Sequence, residues 1–350
     1  MAAALPRIAV TLGDPAGIGP EIALKTARDP RVRAVCRPLL VGDTRALRAH
    51  ADACGLCVAL RRFETSAEAD TFTAIGGAAA TDGNVEVAVL HQDSISEHFR
   101  IGEIDAANGR AAVRAVEAAV AAAHRGDVEA VVAAPIHELA IAHAGIAFDG
   151  HASYVARQMG LPPDAAYLML CRAGIRIVHV TLHTSVRKAI EQITVQRVLD
   201  VLSATDRALR RLGVARPRIG VSGLNPHAGE SGLFGDEEIE ILRPAIEQAR
   251  QLGIDAAGPE GADTLLVRSG YDAFAVMLHD QGHIAMKVAA PHHVIGVVVG
   301  IPLLFCSVGH GSAMDIAGRG VADAGALTAA VLALAAGHAS SGHPYEWRRS

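Results

Sequence analysis

Three histidines stand where a chain would deliver catalytic groups. His183 closes the run "RIVHVTLH", His227 closes "RIGVSGLNPH" and His279 closes "FAVMLH". Each run is apolar enough to read as a β-strand, and each histidine leads into polar or glycine-rich sequence. Strands of one sheet can therefore bring three imidazoles to a single edge, where α/β proteins bind ligands. A catalytic divalent metal asks for about three protein ligands and an open position for substrate. A single histidine at a strand end is usually solvated or capping. Repetition in three distinctive loops, "VTLHTSVR", "NPHAGESG" and "LHDQGH", separates these from the rest of the 17 histidines. His179 lies deeper in its run and reads as a core residue. His137, His143, His283, His292 and His293 read as structural or surface positions.

A second chemistry-bearing stretch is "SVGHGSAMDIAGRGVADAGAL", Ser307–Leu327. Gly309, Gly311, Gly318 and Gly320 let a backbone turn tightly and approach a ligand. Asp315 could accept both ribose hydroxyls of an adenosine and would repel a 2′-phosphate, favouring NAD over NADP. Near the start, "TLGDPAGIGPEIALK" (Thr11–Lys25) is a strand, a glycine turn and a helix start. It lacks the Gly-Lys-Ser/Thr of a P-loop and the Gly-x-Gly-x-x-Gly spacing of a Rossmann turn. Cys54 and Cys57 form one C-x-x-C without a second pair, and read as small buried hydrophobes rather than a zinc site.

The elements that position these groups alternate along the chain. "RIAVTL", "RPLLVG", "VEVAVL", "VEAVVAAP", "IRIVHVTL", "RIGVSGL", "FAVMLHD" and "VIGVVVG" are strand-like. Helical patterns fall between them at Asp105–Arg125, Thr194–Leu212, Asp236–Leu252 and Ala322–Gly337, with glycines after the first three as stop signals. This alternation predicts an α/β fold with a mainly parallel sheet. The 350 residues allow one large unit or two lobes sharing a cleft. A net charge of −5 and an aromatic content of 3% argue against a nucleic-acid partner. No apolar run reaches the roughly 18 residues of a membrane span, and the N-terminus lacks a signal-peptide pattern, so the expected location is cytoplasmic.

The loop "HGSAMDIAGRG" resembles the adenosine-binding loop of the isopropylmalate and isocitrate dehydrogenase superfamily. More closely, the chain resembles the 4-hydroxythreonine-4-phosphate dehydrogenase (PdxA) family. The matching stretches are "TLGDPAGIGPEI", "AAPIHELAIAHAGIAFDGH", "VTLHTSVR", "GLNPHAGESGLFGDEE", "GPEGADTLL", "LHDQGHIAMK" and "SVGHGSAMDIAGRGVAD". They run in order from residue 11 to 323. The resemblance implies a two-lobed α/β/α sandwich of isopropylmalate dehydrogenase type with its active site in the interlobe cleft. Residues 1–135 plus 305–350 would form the cofactor-side lobe, and 136–304 the lobe for metal, substrate and dimerisation.

By the same resemblance, His183, His227 and His279 bind a divalent metal (zinc, or magnesium, manganese or cobalt), the site being completed across a homodimer. Asn225, Gly309, Gly311, Ser312, Asp315 and Gly318 fall at the NAD-binding positions. Lys287 and Asp263 are the acid/base candidates, Asp263 and Asp280 being able to orient a histidine or Lys287. Lys287 also contacts substrate, and partial burial beside a cation would suit it to proton transfer. The family's "GHTE" appears as "GHAS", keeping His151 and replacing a threonine by Ala152. Its substrate asparagine and arginine fall on Gly296 and Phe305, and its aspartate before "HG" on Gly309. An arginine exchanged for Phe305 removes a bidentate cation suited to phosphate.

The terephthalate dihydrodiol dehydrogenase branch is similar in "AGIAF", "LMLCRAGIRIVHVTLH", "SGLNPHA" and "SVGHGSAMDIAGRGVADA". The implied reaction is NAD- and metal-dependent oxidation of a secondary alcohol followed by decarboxylation, on a cis-dihydrodiol carboxylate or related hydroxy-acid. The alternative is 4-hydroxythreonine-4-phosphate oxidation. Three histidines would equally suit a zinc hydrolase, which would not need the Ser307–Leu327 loop.

Overall fold

The computed structural model describes residues 5–65, 68, 85–172, 174–289 and 294–341. His292 and His293 lie outside them. Twelve strands are described: β1 Arg7–Thr11, β2 Arg37–Gly42, β3 Val58–Phe63, β4 Val85–His91, β5 Ala130–Ala133, β6 Tyr167–Arg172, β7 Ile175–His179, β8 Arg218–Ser222, β9 Asp255–Glu260, β10 Ala273–Val276, β11 Ile295–Val299 and β12 Leu304–Val308. The chain divides into two compact units, Met1–Gly160 with Pro302–Ser350, and Leu161–Ile301.

In the first unit the strand order is β3-β4-β2-β1-β5-β12, and every pairing is parallel. Parallel strands are covered on both faces, which explains runs such as "RIAVT" and "RPLLVG" rather than strict alternation. Ile8, Val10, Leu39, Val41 and Val131 are all fully buried. The Ala106–His124 helix begins at Asp105, whose carboxylate accepts from Ala107 N. The unit extends to residue 160, beyond the expected limit of 135. The reason is packing: Val113, Ile141 and Tyr154 share one apolar cluster, and the Tyr154 hydroxyl donates to Glu117 Oε1 at 2.6 Å.

In the second unit the order is β11-β6-β7-β10-β8-β9. β6 pairs antiparallel with both β11 and β7, and the other pairings are parallel. Thr194 caps the Val195–Arg211 helix, its Oγ1 accepting from Arg197 N at 3.2 Å. The helix expected over 236–252 is two pieces, a π-helical turn at Glu238–Leu242 and an α-helix at Arg243–Gln251. Among the described residues no helix is long and apolar enough to cross a membrane.

Candidate active site

The imidazoles of the second unit sit beyond three neighbouring strands. β7, β10 and β8 are adjacent and parallel, so their C-terminal ends share one edge. The strands stop sooner than the sequence runs suggest: β7 ends at His179 and β10 at Val276. His183 therefore lies in the turn after β7, and His279 opens the His279–Ala289 helix. The His183 and His279 rings are 5.7 Å apart, centre to centre. His279 is oriented by its neighbour, its Nδ1 lying 2.7 Å from Asp280 Oδ1, as expected for a carboxylate that fixes a ligating imidazole.

Behind His279 is a histidine stack absent from the sequence reading. His283 lies face to face with His279 at 3.7 Å and 8°, and His179 packs on His283 at 4.7 Å. The i, i+4 spacing of His279 and His283 on one helix face makes the stack possible. His179 is buried as expected, and Gly282 is what admits it: a Cβ there would meet His179 Nε2 at 2.3 Å. Burial pushes His179 down to about 3, with the neighbouring imidazoles adding to the effect. Burial likewise lowers His283 to about 4, helped by His279 and by the Lys287 charge. Both rings are neutral at pH 7.

His227 stands in an unusual backbone. Residues His227 to Ser231 have φ of 52, 50, 78, 42 and 60°, a continuous left-handed turn in which only Gly229 is glycine. Left-handed geometry costs an L-residue roughly 1–2 kcal/mol, so its neighbours must enforce it. Glu238, 1% exposed, lies at the entry to the turn. Its Oε1 accepts from Leu224 N and Asn225 N at 2.7 and 2.8 Å, and its Oε2 from Asn225 Nδ2 at 3.0 Å. Burial opposes the Glu238 charge, but these hydrogen bonds prevail and hold its carboxyl below the usual range. The Asn225 amide also donates to Glu237 at 2.6 Å, so the side chain expected at the cofactor is committed to two carboxylates.

Gln281 links two of the loops. Its Oε1 accepts from Met277 N and Leu278 N, both at 2.9 Å, and its Nε2 donates to Gly223 O at 3.0 Å. The segments carrying His279 and His227 are thereby tied together.

Within one chain the three histidines do not close on a point. The His227 imidazole is turned toward Phe234, 6.1 Å away. Among the described residues, only Asp43, His91 and Asp93 bring ligand atoms within 4.8 Å of one another. That place already holds a cation: the Arg45 guanidinium lies 2.7 Å from Asp43 and 2.5 Å from Asp93. An all-imidazole set suits zinc or another borderline transition metal better than magnesium, which prefers oxygen ligands. Lys287 is exposed, so the partial burial expected of it is absent from the single chain. Asp263 is exposed on the Ala262–Leu265 helix, its Oδ1 and the His227 backbone both lying against Gly261. Gly296 is buried inside β11, paired with Leu170, and has only backbone to offer.

The first unit carries the glycine loop. β12 leads into it, and the "GDPAGIGPE" turn holds it. Ser312 is buried and its carbonyl accepts from Ile18 N at 2.8 Å, while a Cβ on Gly17 would meet that oxygen at 2.7 Å. Lys25 Nζ donates to Gly320 O at 3.0 Å, Ala322 O at 2.7 Å and Glu21 Oε1 at 2.7 Å, and Glu21 accepts from Ala322 N at 2.9 Å. Gly318 has φ +71°, and Gly309, Gly311 and Asp315 are exposed. A Cβ on Gly311 would meet nothing within 4 Å, so the loop surface is open at that point.

His151 begins the His151–Gln158 helix with Ala152 beside it. Its ring packs edge-on against Phe148 at 5.4 Å and lies 5.7 Å from Phe305. Its Nε2 is buried without a hydrogen-bond partner, and burial drops its basicity to about 4. Phe305 is fully buried. Its ring faces His151 and no guanidinium stands at that position.

Residues 34–334 match the family described as pyridoxal phosphate biosynthetic protein PdxA. The chain is 40% identical over 332 residues to 1,2-dihydroxy-3,5-cyclohexadiene-1,4-dicarboxylate dehydrogenase of a Comamonas species, covering 94% of this chain and 97% of the relative. It is 38% identical over 331 residues to D-threonate 4-phosphate dehydrogenase of Cupriavidus necator, covering 93% and 96%. Among solved structures, a 4-hydroxythreonine-4-phosphate dehydrogenase from Burkholderia phymatum aligns with a TM-score of 0.81 at 35% identity, covering 95% of this chain and 98% of that one.

These findings put the protein among the α/β dehydrogenases, oxidoreductases acting on CH–OH groups. More narrowly, the chain belongs to the PdxA family. The zinc-hydrolase alternative falls with that assignment.

Proposed function

We propose that this protein uses NAD and a divalent cation to oxidise a secondary alcohol next to a carboxylate-bearing carbon, and that the carboxylate then leaves as CO₂. The preferred substrate is a cyclic cis-dihydrodiol dicarboxylate. The observation that carries this choice is Phe305, fully buried against His151. The resemblance gives that position to an arginine, which would bind a phosphate ester. Here no guanidinium stands there, and an anionic phosphate would lose charge-assisted hydrogen bonds of roughly 1.5–3 kcal/mol each. Identities of 40% and 38% to dehydrogenases of the two substrate types do not discriminate.

In this reading His183, His227 and a His279 contributed by a second copy of the chain hold the cation. When bound, it acidifies the alcohol and offsets the negative charge left as CO₂ departs. Asp280 fixes the His279 ring, and Lys287, one helical turn beyond His283, takes the hydroxyl proton. The C–H hydrogen leaves with its electron pair to NAD. The C–C bond to the carboxylate then breaks, and for a dihydrodiol the released pair restores an aromatic ring. The exposed Gly309, Gly311 and Asp315 receive the adenosine end of the dinucleotide, with Asp315 on the ribose.

The test is an NAD-reduction screen with Zn²⁺, Mn²⁺ or Co²⁺ present, over aromatic cis-dihydrodiol carboxylates and phosphorylated hydroxy-acids, with CO₂ measured. Turnover confined to dihydrodiols, with one CO₂ per NADH, is the expected result. Ala152→Thr, which restores the family's hydroxyl, should shift kcat/KM toward the phosphorylated acids. Faster wild-type turnover of a phosphorylated acid would overturn the substrate assignment in favour of the PdxA-type reaction.

A further inference from the structure

We infer that Glu238 is the positioning residue for His227: its buried carboxylate sets the left-handed turn that holds the imidazole where it can ligate. The inference rests on the reading of His227 as a ligand of the divalent cation.

Four of the five residues from His227 to Ser231 carry a Cβ in a region that L-residues avoid, so local preference opposes this turn. Something outside the turn must impose it. Phe234 N and Leu233 N donate to the Gly229 and Glu230 carbonyls, and Glu238 is the buried side chain that reaches both the entry to the turn and Gly229 within it. Glu238 fixes the strand-side entry by binding the Leu224 and Asn225 amides and the Asn225 side chain. It also lies against the turn itself, since a Cβ on Gly229 would meet Glu238 Oε2 at 2.8 Å and one on Gly223 would meet Oε1 at 3.2 Å. The π-helical turn Glu238–Leu242 begins at this residue, and such turns are frequent at functional sites. Two rare backbone conformations thus meet at one carboxylate, one of them carrying the proposed ligand. Strain of this kind persists only where surroundings over-determine it, and it clusters at sites where a group must be held in place.

The chemistry makes a single-atom test possible. Glu238→Gln keeps an oxygen for the two backbone amides but puts an NH₂ opposite the Asn225 NH₂, donor facing donor. Co²⁺ binding to the full-length protein is followed by its visible spectrum and by calorimetry, with amide exchange measured over residues 224–231. Expected are a Co²⁺ affinity about 10–100-fold weaker and faster exchange over 224–231, with exchange in β7 and β10 unchanged. In a His227→Ala background, Glu238→Gln should alter Co²⁺ affinity by less than about twofold, because the two act through one path.

Unchanged affinity in Glu238→Gln, or an equal further loss in the His227→Ala background, overturns the proposal. Should His227→Ala itself bind Co²⁺ as tightly as wild type, the ligand reading fails, and exchange alone decides whether Glu238 sets the turn: retained protection sinks it, lost protection supports it. If Glu238→Gln does not fold, Glu238→Asp is read in its place, since it keeps the charge but withdraws the oxygens by one methylene. Wild-type affinity and protection in that variant would also overturn the proposal.

Discussion

Asp14 shows how a single residue of the opening glycine turn shapes the molecule's response to pH. It is fully buried, with Oδ1 accepting from Ala16 N at 2.9 Å and Oδ2 without a hydrogen-bond partner. Burial raises its carboxyl to about 6, the Ala16 hydrogen bond opposing and the Asp105 charge adding to the rise. A raised folded-state value means that the native protein favours the protonated form. Its contribution to stability is complete below about pH 4 and is lost as pH rises through 6. A shift of about two units corresponds to about 3 kcal/mol. Asp14→Asn should therefore match wild type in urea denaturation at pH 4 and exceed it by up to that amount at pH 7.5. Equal midpoints for the two proteins at pH 7.5 would refute this account. Other residues divide by how local their signal is. The placement of His183, His227 and His279 beyond β7, β8 and β10 was legible because each follows an apolar run. The His283 stack and the Glu238 clamp were not, because both depend on contacts that a one-dimensional reading does not contain.

At the scale of elements, the Gly19–Arg28 helix works as a strap. Its Lys25 ammonium grips two carbonyls of the glycine loop, and its Glu21 carboxylate grips the Ala322 amide. The "GDPAGIGPE" stretch and the helix that follows it thus hold the Ser307–Leu327 loop in place. Lys25→Met should weaken NAD binding by about tenfold, or about 1.4 kcal/mol, with Co²⁺ affinity unaltered; an unchanged NAD dissociation constant in calorimetry would show that the strap is incidental.

Eight strands were legible as Val/Ile/Leu runs. The other four were not: β6 "YLMLCR" and β12 "LFCSV" are apolar but nearly without Val or Ile, and β3 and β9 lie at the outer ends of the strand order, half solvated, with sequences "VALRRF" and "DAAGPE" that lack an apolar run. The helix expected over 236–252 was legible in extent but not in kind. The turn "NPHAGES", with one glycine, gave no hint of five left-handed residues. There the tertiary demand of the site overrides local preference.

For the whole molecule, ligand linkage is the measurable property. A ligand that binds only the native state stabilises it by about 2.7 kcal/mol at a hundred times its dissociation constant. Chelator treatment should lower the thermal transition and abolish NADH formation, and Zn²⁺ or Co²⁺ should restore both. NAD should raise the transition independently of the metal. Full activity after exhaustive chelation would remove the cation from the reaction. A net charge of −5 also implies that polyanions should not bind.

Asp43, His91 and Asp93 offer a second grouping of donors, but Arg45 sits among them as a built-in counter-ion. An incoming ion would meet a guanidinium already bonded to both carboxylates. Any ion at this grouping therefore competes with Arg45 for the same carboxylates.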